Sequence, residues 1–268
     1  MSYAFGDSAL AAERLALVAQ VFDGPSRTFW RAFAPRAPGL ALDLGCGPGH
    51  TTHALAQSVD ATQTVGVDAS AEFLGAAQRT ARPGVRFLRH DVTVLPLPLD
   101  PAELVVCRFL LSHLREPTRV VASWAALLAP GGRLLVEEVE SISTDCPVFG
   151  RYLALVAATL DGQGQELYVG PILDRAGVPA GLERLASRVA FHRVATVDAA
   201  RMFGMNLPAL GRNPIAQARE GERGLAELAH ELRALALSPS GPFENRWGLR
   251  QLAFQPAAGT DSDGVAKR

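Results

Sequence analysis

The stretch Leu40-Ala-Leu-Asp-Leu-Gly-Cys-Gly-Pro-Gly-His-Thr-Thr-His-Ala-Leu-Ala56 constrains the fold of this chain more than any other. An apolar run ends in Asp43, passes through glycines at 45, 47 and 49, and opens into a helical pattern, so it reads as strand, tight loop and helix. Glycines there remove the Cβ atoms that would stop a backbone turning sharply and approaching a ligand. The helix that follows points free N–H groups and its positive dipole end at the same place, which makes the loop a ligand-binding turn. Its spacing differs from the dinucleotide fingerprint, and the lysine of a phosphate loop is missing.

Around this turn, apolar runs at 40–44, 64–67, 85–88, 103–107 and 133–139 alternate with helical stretches at 50–58, 70–81 and 117–129. That alternation predicts a doubly wound, mostly parallel sheet with crossover helices, an α/β fold. Helices are predicted at 8–22 and 26–33 before the first strand, and at 147–160 and 168–176 after the fifth. A strand follows at 186–194, then helices at 198–207 and 217–237, and a last strand at 246–254. The chain therefore divides into leading helices (1–38), a core (39–195 and 244–256), a helical insertion (196–243) and a small, polar tail (257–268) read as disordered.

The ordered segments carry a resemblance. Leu40 to Gly49 is similar to the first motif of the class I S-adenosylmethionine-dependent methyltransferases, and Thr64-Val-Gly-Val-Asp68 places an acid nineteen residues past Gly49. Val85 to Val92, Glu103 to Leu114, and Leu127 to Glu138 with its L-x-P-G-G turn resemble the family's adenine-contacting segment, fourth strand and fifth strand. The resemblance covers residues 38 to 140, and more loosely reaches 194. It implies a seven-stranded Rossmann-like sheet with a helical cap and S-adenosylmethionine as cofactor. It also implies a cofactor set of Asp43, Gly45, Cys46, Gly47, Gly49 and Thr51 at the turn, Asp68 and Ala69 at the second strand, Asp91 and Val92 beyond the third, and Arg108 after the fourth. The family joins its sixth and seventh strands by a short hairpin, with one antiparallel edge; here residues 196–243 intervene, and such an insertion must stand over one end of the sheet as a lid.

Competing roles attach to the single residues. Asp68 suits a ribose diol or the N-cap of the next helix, and Asp91 suits the adenine amine or a turn. Asp43 at the first strand's end can accept from loop N–H groups and orient the methionine amine. His113 and Glu138 are the candidate bases, with Glu137 and Glu138 expected to alternate between cleft and solvent. His50 and His53 have a metal-like spacing without a third ligand. Cys107-Arg108 stands where the metal-dependent branch of the family carries an acid, so no metal is expected. The Asn-Pro-Pro-Tyr type motif of DNA-base methylation is absent from this place.

Composition narrows the partner. Net charge is −1 over 268 residues, 48% of them hydrophobic, which leaves no electrostatic footprint for nucleic acid or an anionic membrane. Cys46, Cys107 and Cys146 form no C-x-x-C pair and suit a reducing, cytoplasmic setting. No apolar run approaches a membrane span, and the N-terminus lacks the pattern of a secretion signal. The expected function is metal-free methyl transfer to O, N or C of a small-molecule acceptor, with a homodimer left open. The alternatives are a non-methyl reaction at the same site, such as cyclisation or elimination, and a non-catalytic binding protein.

Overall fold

The computed structural model describes residues 6–237 and 243–257. One seven-stranded sheet organises them, formed by β1 (Leu40–Leu44), β2 (Gln63–Asp68), β3 (Val85–Arg89), β4 (Ala102–Arg108), β5 (Leu128–Thr144), β6 (Leu182–Arg193) and β7 (Asn245–Pro256). The strand order is β3-β2-β1-β4-β5-β7-β6, parallel from β3 through β5. Order reverses between β1 and β4, so the carboxyl ends of these two strands border the crevice where open α/β sheets bind ligands. The central strands are buried on both faces, as continuous apolar runs in parallel sheets require.

The antiparallel strand does not lie at the edge as expected. β7 pairs antiparallel with both β5 and β6, and β6 is the edge strand. After the insertion the chain re-enters beside β5, and pairing on both sides of β7 satisfies more backbone groups than an edge position would. Pairing from Leu134 with Phe254 to Thr144 with Asn245 also explains why β5 runs five residues past the predicted end at 139.

The leading helices are α1 (Ala9–Val21), capped by Ser8 Oγ accepting from Ala11 N, and α2 (Asp23–Phe33). α3 (His50–Val59), α4 (Ala71–Gln78) and α5 (Pro117–Ser123) are the crossovers, the last two shorter than predicted. Beyond Ser123 the chain tightens into a 3-10 turn, Trp124–Leu127, and the Pro130-Gly-Gly stretch already lies within β5. α6 (Pro147–Asp161), α7 (Val169–Arg175), α8 (Thr196–Leu210) and α9 (Pro214–Leu237) complete the set, α9 bending at Gly221.

Three apolar clusters hold the layers. Phe29 and Trp30 of α2 pack with Leu55, Leu104 and Leu135 on one face of the sheet, and Trp124 with Val105, Leu134 and Phe254 on the other. A third cluster joins α1, α6, α8 and α9: Phe203 stacks on Tyr152 at 4.2 Å between ring centroids, and Asn206 Nδ2 donates to Tyr152 Oη at 2.6 Å. The helical insertion is thus built on α6, and it meets α1. No helix of the described residues is long and apolar enough to cross a membrane. Tyr3 and Phe5, and the tail from 258, lie outside the described residues.

Candidate functional site

The glycine turn is laid against the tip of β2. Gly45 N and Cys46 N both donate to the Val67 carbonyl, at 2.8 and 3.1 Å. Gly45 sits at φ 75°, and a Cβ there would come within 2.8 Å of Leu110 Cδ2, so only glycine fits. Gly47 N donates to Asp68 Oδ2 and Ser70 N to Asp68 Oδ1, each at 2.8 Å. Asp68 thereby fastens the turn to the start of α4, while Ser70 Oγ rather than Asp68 makes the cap, accepting from Phe73 N. Burial raises the Asp68 carboxyl, opposed by the amides of Ser70 and Gly47.

A cleft of about 890 Å³ opens above this turn. That is at the upper end for small-ligand sites, roughly 300–1,000 Å³. Gly45, Cys46, Gly47, Thr51, Asp68, Ala69, Asp91, Val92, Arg108 and His113 all line it, so the structure brings together most of the sequence-predicted set. Asp91 Oδ1 accepts from Thr93 N at 2.9 Å and Thr93 Oγ1 at 2.7 Å. Burial would raise this carboxyl, but the two Thr93 bonds together with nearby positive charge, His90 included, hold it below the usual range.

Two residues of the predicted cofactor set lie elsewhere. Asp43 is 1% exposed and does not line the cleft. Its Oδ2 accepts from Thr52 Oγ1 at 2.7 Å, not from the loop amides, which go to Val67 and Asp68 instead. Burial raises it to about 6, opposed by Thr52 and Arg108. Gly49, at φ 88°, is also outside the cleft; a Cβ there would meet Phe87 at 2.7 Å, so this glycine serves packing against β3.

Arg108 is buried among polar groups. Its Nη2 donates to Thr51 Oγ1 at 2.8 Å and its Nη1 to Ser26 Oγ at 3.1 Å. Ser26 Oγ in turn donates to Glu137 Oε1, and Gln251 Nε2 to Glu137 Oε2. The expectation that one of Glu137 and Glu138 faces solvent fails, because β5 is an interior strand covered on both sides and both side chains are fully buried. Glu138 does not line the cleft. Its Oε1 accepts from Leu110 N and Leu111 N, each at 2.8 Å, and burial lifts it to about 8. Those amides belong to a turn in which Phe109 adopts φ 55°, a conformation costly for a bulky residue, so Glu138 braces the backbone that carries Phe109 and Leu110 into the cleft.

His113 occupies a 3-10 turn, Leu111–His113, ahead of α5 rather than the start of that helix. Burial and the Arg14 charge depress it to about 3, so it stays neutral near pH 7 and is a weak base. His50 lines the cleft, whereas His53 Nε2 lies 3.0 Å from Thr80 Oγ1 outside it. Among the described residues no three His, Cys, Asp or Glu side chains are grouped to hold a metal ion.

The opposite wall comes from the leading helices and the insertion. Asp7 bonds Ser70, whose Oγ donates to Asp7 Oδ2 at 2.9 Å, and Leu15 and Val18 of α1 face Met205, Pro208, Ala209 and Arg212 from α8 and its end across the cleft.

Residues 41–132 match a family described as a methyltransferase domain. The uncharacterized methyltransferase YcgJ of Bacillus subtilis is 32% identical over 122 residues, 44% of this chain and 47% of that protein, so the chain spans about half the length of this relative. The trans-aconitate 2-methyltransferase of Rhizobium meliloti is 28% identical over 187 residues, 65% of this chain and 70% of that enzyme. Among solved structures, the cyclase SpnF superposes with a TM-score of 0.56 at 21% identity, covering 90% of this chain and 83% of that one. That likeness shows the fold.

Proposed function

The chain belongs to the class I S-adenosylmethionine-dependent methyltransferases, and from that premise we propose that it methylates O, N or C of a small, partly apolar acceptor without a metal ion. Its cofactor is S-adenosylmethionine, which supplies an electrophilic sulfonium methyl group when bound. The residues present fit that molecule. Gly45 and Gly47 bring bare backbone to the cleft, and the Asp68 oxygens, each accepting one N–H, keep lone pairs for a diol. Asp91 Oδ2 accepts no bond among the described residues and suits an exocyclic amine.

The observation that carries the reading is one cleft holding both halves of the task. The glycine turn, Asp68 and Asp91 line it from the sheet side, and Leu15, Val18, Phe109, Leu114 and Met205 supply apolar walls for an acceptor. The leading helices and the insertion would then roof the acceptor part and exclude water. His113 is depressed to about 3 and Glu138 lies outside the cleft, so neither meets the requirement of a base poised near neutral pH. Rate would come from holding the acceptor in line, with its proton leaving to water. The test is incubation with methyl-labelled cofactor and a panel of carboxylic acids, phenols and amines, read by mass spectrometry. Gain of one labelled methyl supports the proposal. An acceptor rearranged without mass gain would assign a non-methyl reaction, and cofactor binding with no product from any acceptor a binding role.

A further inference from the structure

A second concavity, of about 520 Å³, lies between α1, α8 and α9. Its floor is apolar, with Ala200 and Leu207 of α8 and Leu225 and Leu232 of α9 all buried. Gly204 keeps it open: a Cβ added there would find only Leu232 Cβ, at 4.0 Å. The α9 residues that line it run from Leu225 to Ala236, which at 1.5 Å per residue is about 16 Å. The space is therefore a trough along two helices rather than a round pit.

The trough adjoins the cleft. Leu10, Met205 and Pro208 line both. Its charged lining is Arg201 and Arg233 against Glu13, an excess of positive charge that disfavours a cationic occupant.

Resting on the methyltransferase reading above, we propose that this trough receives the aliphatic tail of the acceptor, an elongated carboxylate whose reacting oxygen lies in the cleft. A long apolar trough selects an extended chain over a fused ring, and a molecule lying across the shared rim of Leu10, Met205 and Pro208 reaches both spaces.

Calorimetric titration of the full chain, saturated with S-adenosylhomocysteine, with straight-chain acids from butanoic to tetradecanoic at submicellar concentration tests this. Affinity should rise about two- to fourfold per added methylene and then level off where the trough ends. Gly204→Leu fills the trough from α8 and Ala229→Leu from α9. Either should weaken the long acids by about tenfold or more while butanoic acid and S-adenosylhomocysteine bind as before. An affinity independent of chain length, or a ladder unchanged in both variants, would overturn the proposal. So would a dimer in sedimentation that Gly204→Leu dissociates, since the trough would then seat a second copy. The titration needs no turnover: a chain that binds the ladder but transfers no methyl would count against the methyltransferase reading alone.

Discussion

Asp68 and Glu138 show how one carboxylate can hold a backbone that a ligand needs. Asp68 bonds Gly47 and Ser70 through both oxygens, so Asp68→Ala removes charge from the cleft and loosens the turn together. Loss of a charged hydrogen bond costs roughly 1.5–3 kcal/mol, and calorimetry with S-adenosylhomocysteine should find binding weakened about ten- to a hundredfold. Unchanged affinity would remove Asp68 from the cofactor site. Glu138 bears on pH. It is raised from 4.5 to about 8, so between these values the folded chain keeps a proton that the unfolded chain has lost. Folding is then favoured below that window and loses this contribution as pH rises through it. Thermal melts of Glu138→Gln, which retains an acceptor for Leu110 N and Leu111 N, should show a flatter decline with rising pH than the parent. Its turnover should fall less than about tenfold, against the 10²–10⁴-fold of a general base.

At the scale of elements, α1 and α8 wall the cleft, and α9 packs against α8. The contact of Asp7 with Ser70 and the Ser8 cap tie the start of α1 to the cofactor side, so deletion of residues 1–8 should weaken S-adenosylhomocysteine binding severalfold. Loss of the cap itself costs roughly 0.5–2 kcal/mol, small enough that the fold survives in a circular-dichroism melt. Cutting through residue 22 would not make the same test, because Phe22 is fully buried against Phe109 and Trp247. α9 bends where Gly221 takes φ 64° and ψ 173°, a region that residues with a Cβ avoid. Gly221→Ala should destabilise the chain by about 1–3 kcal/mol, measured by denaturant midpoint, and a neutral result would show that the bend is not required.

For the molecule as a whole, the question of a metal turns on the end of β4. Cys107 and Arg108 stand there, and neither offers the hard oxygen that magnesium requires. Turnover should therefore be unchanged by EDTA, and rescue by magnesium after EDTA would defeat this expectation. The buried charge at that point belongs to a network instead, in which Arg108, Ser26, Glu137 and Gln251 join α2 to β4, β5 and β7.

The parallel sheet and the glycine turn were legible because both rest on short-range rules: apolar runs of strand length, a strand-loop-helix with glycines where a Cβ would collide, and an acid at the tip of the next strand. From these the cofactor family and most of the cleft-lining residues followed. What stayed hidden depends on long-range pairing. Whether β7 lies inside the sheet or at its edge turns on contacts between residues a hundred positions apart, and that choice buries Glu137 and Glu138 where local alternation exposes one of them. Asp43 and Gly49 carry the motif's signature, yet the partners their places require, Thr52 for the carboxylate and Phe87 for the missing Cβ, are set by the assembled sheet and helix. That the insertion stands over the sheet followed from its position between two paired strands, but which side chains of α1 and α8 meet there did not. An amphipathic helix declares that it will bury a face, and only the assembled molecule determines which face it meets.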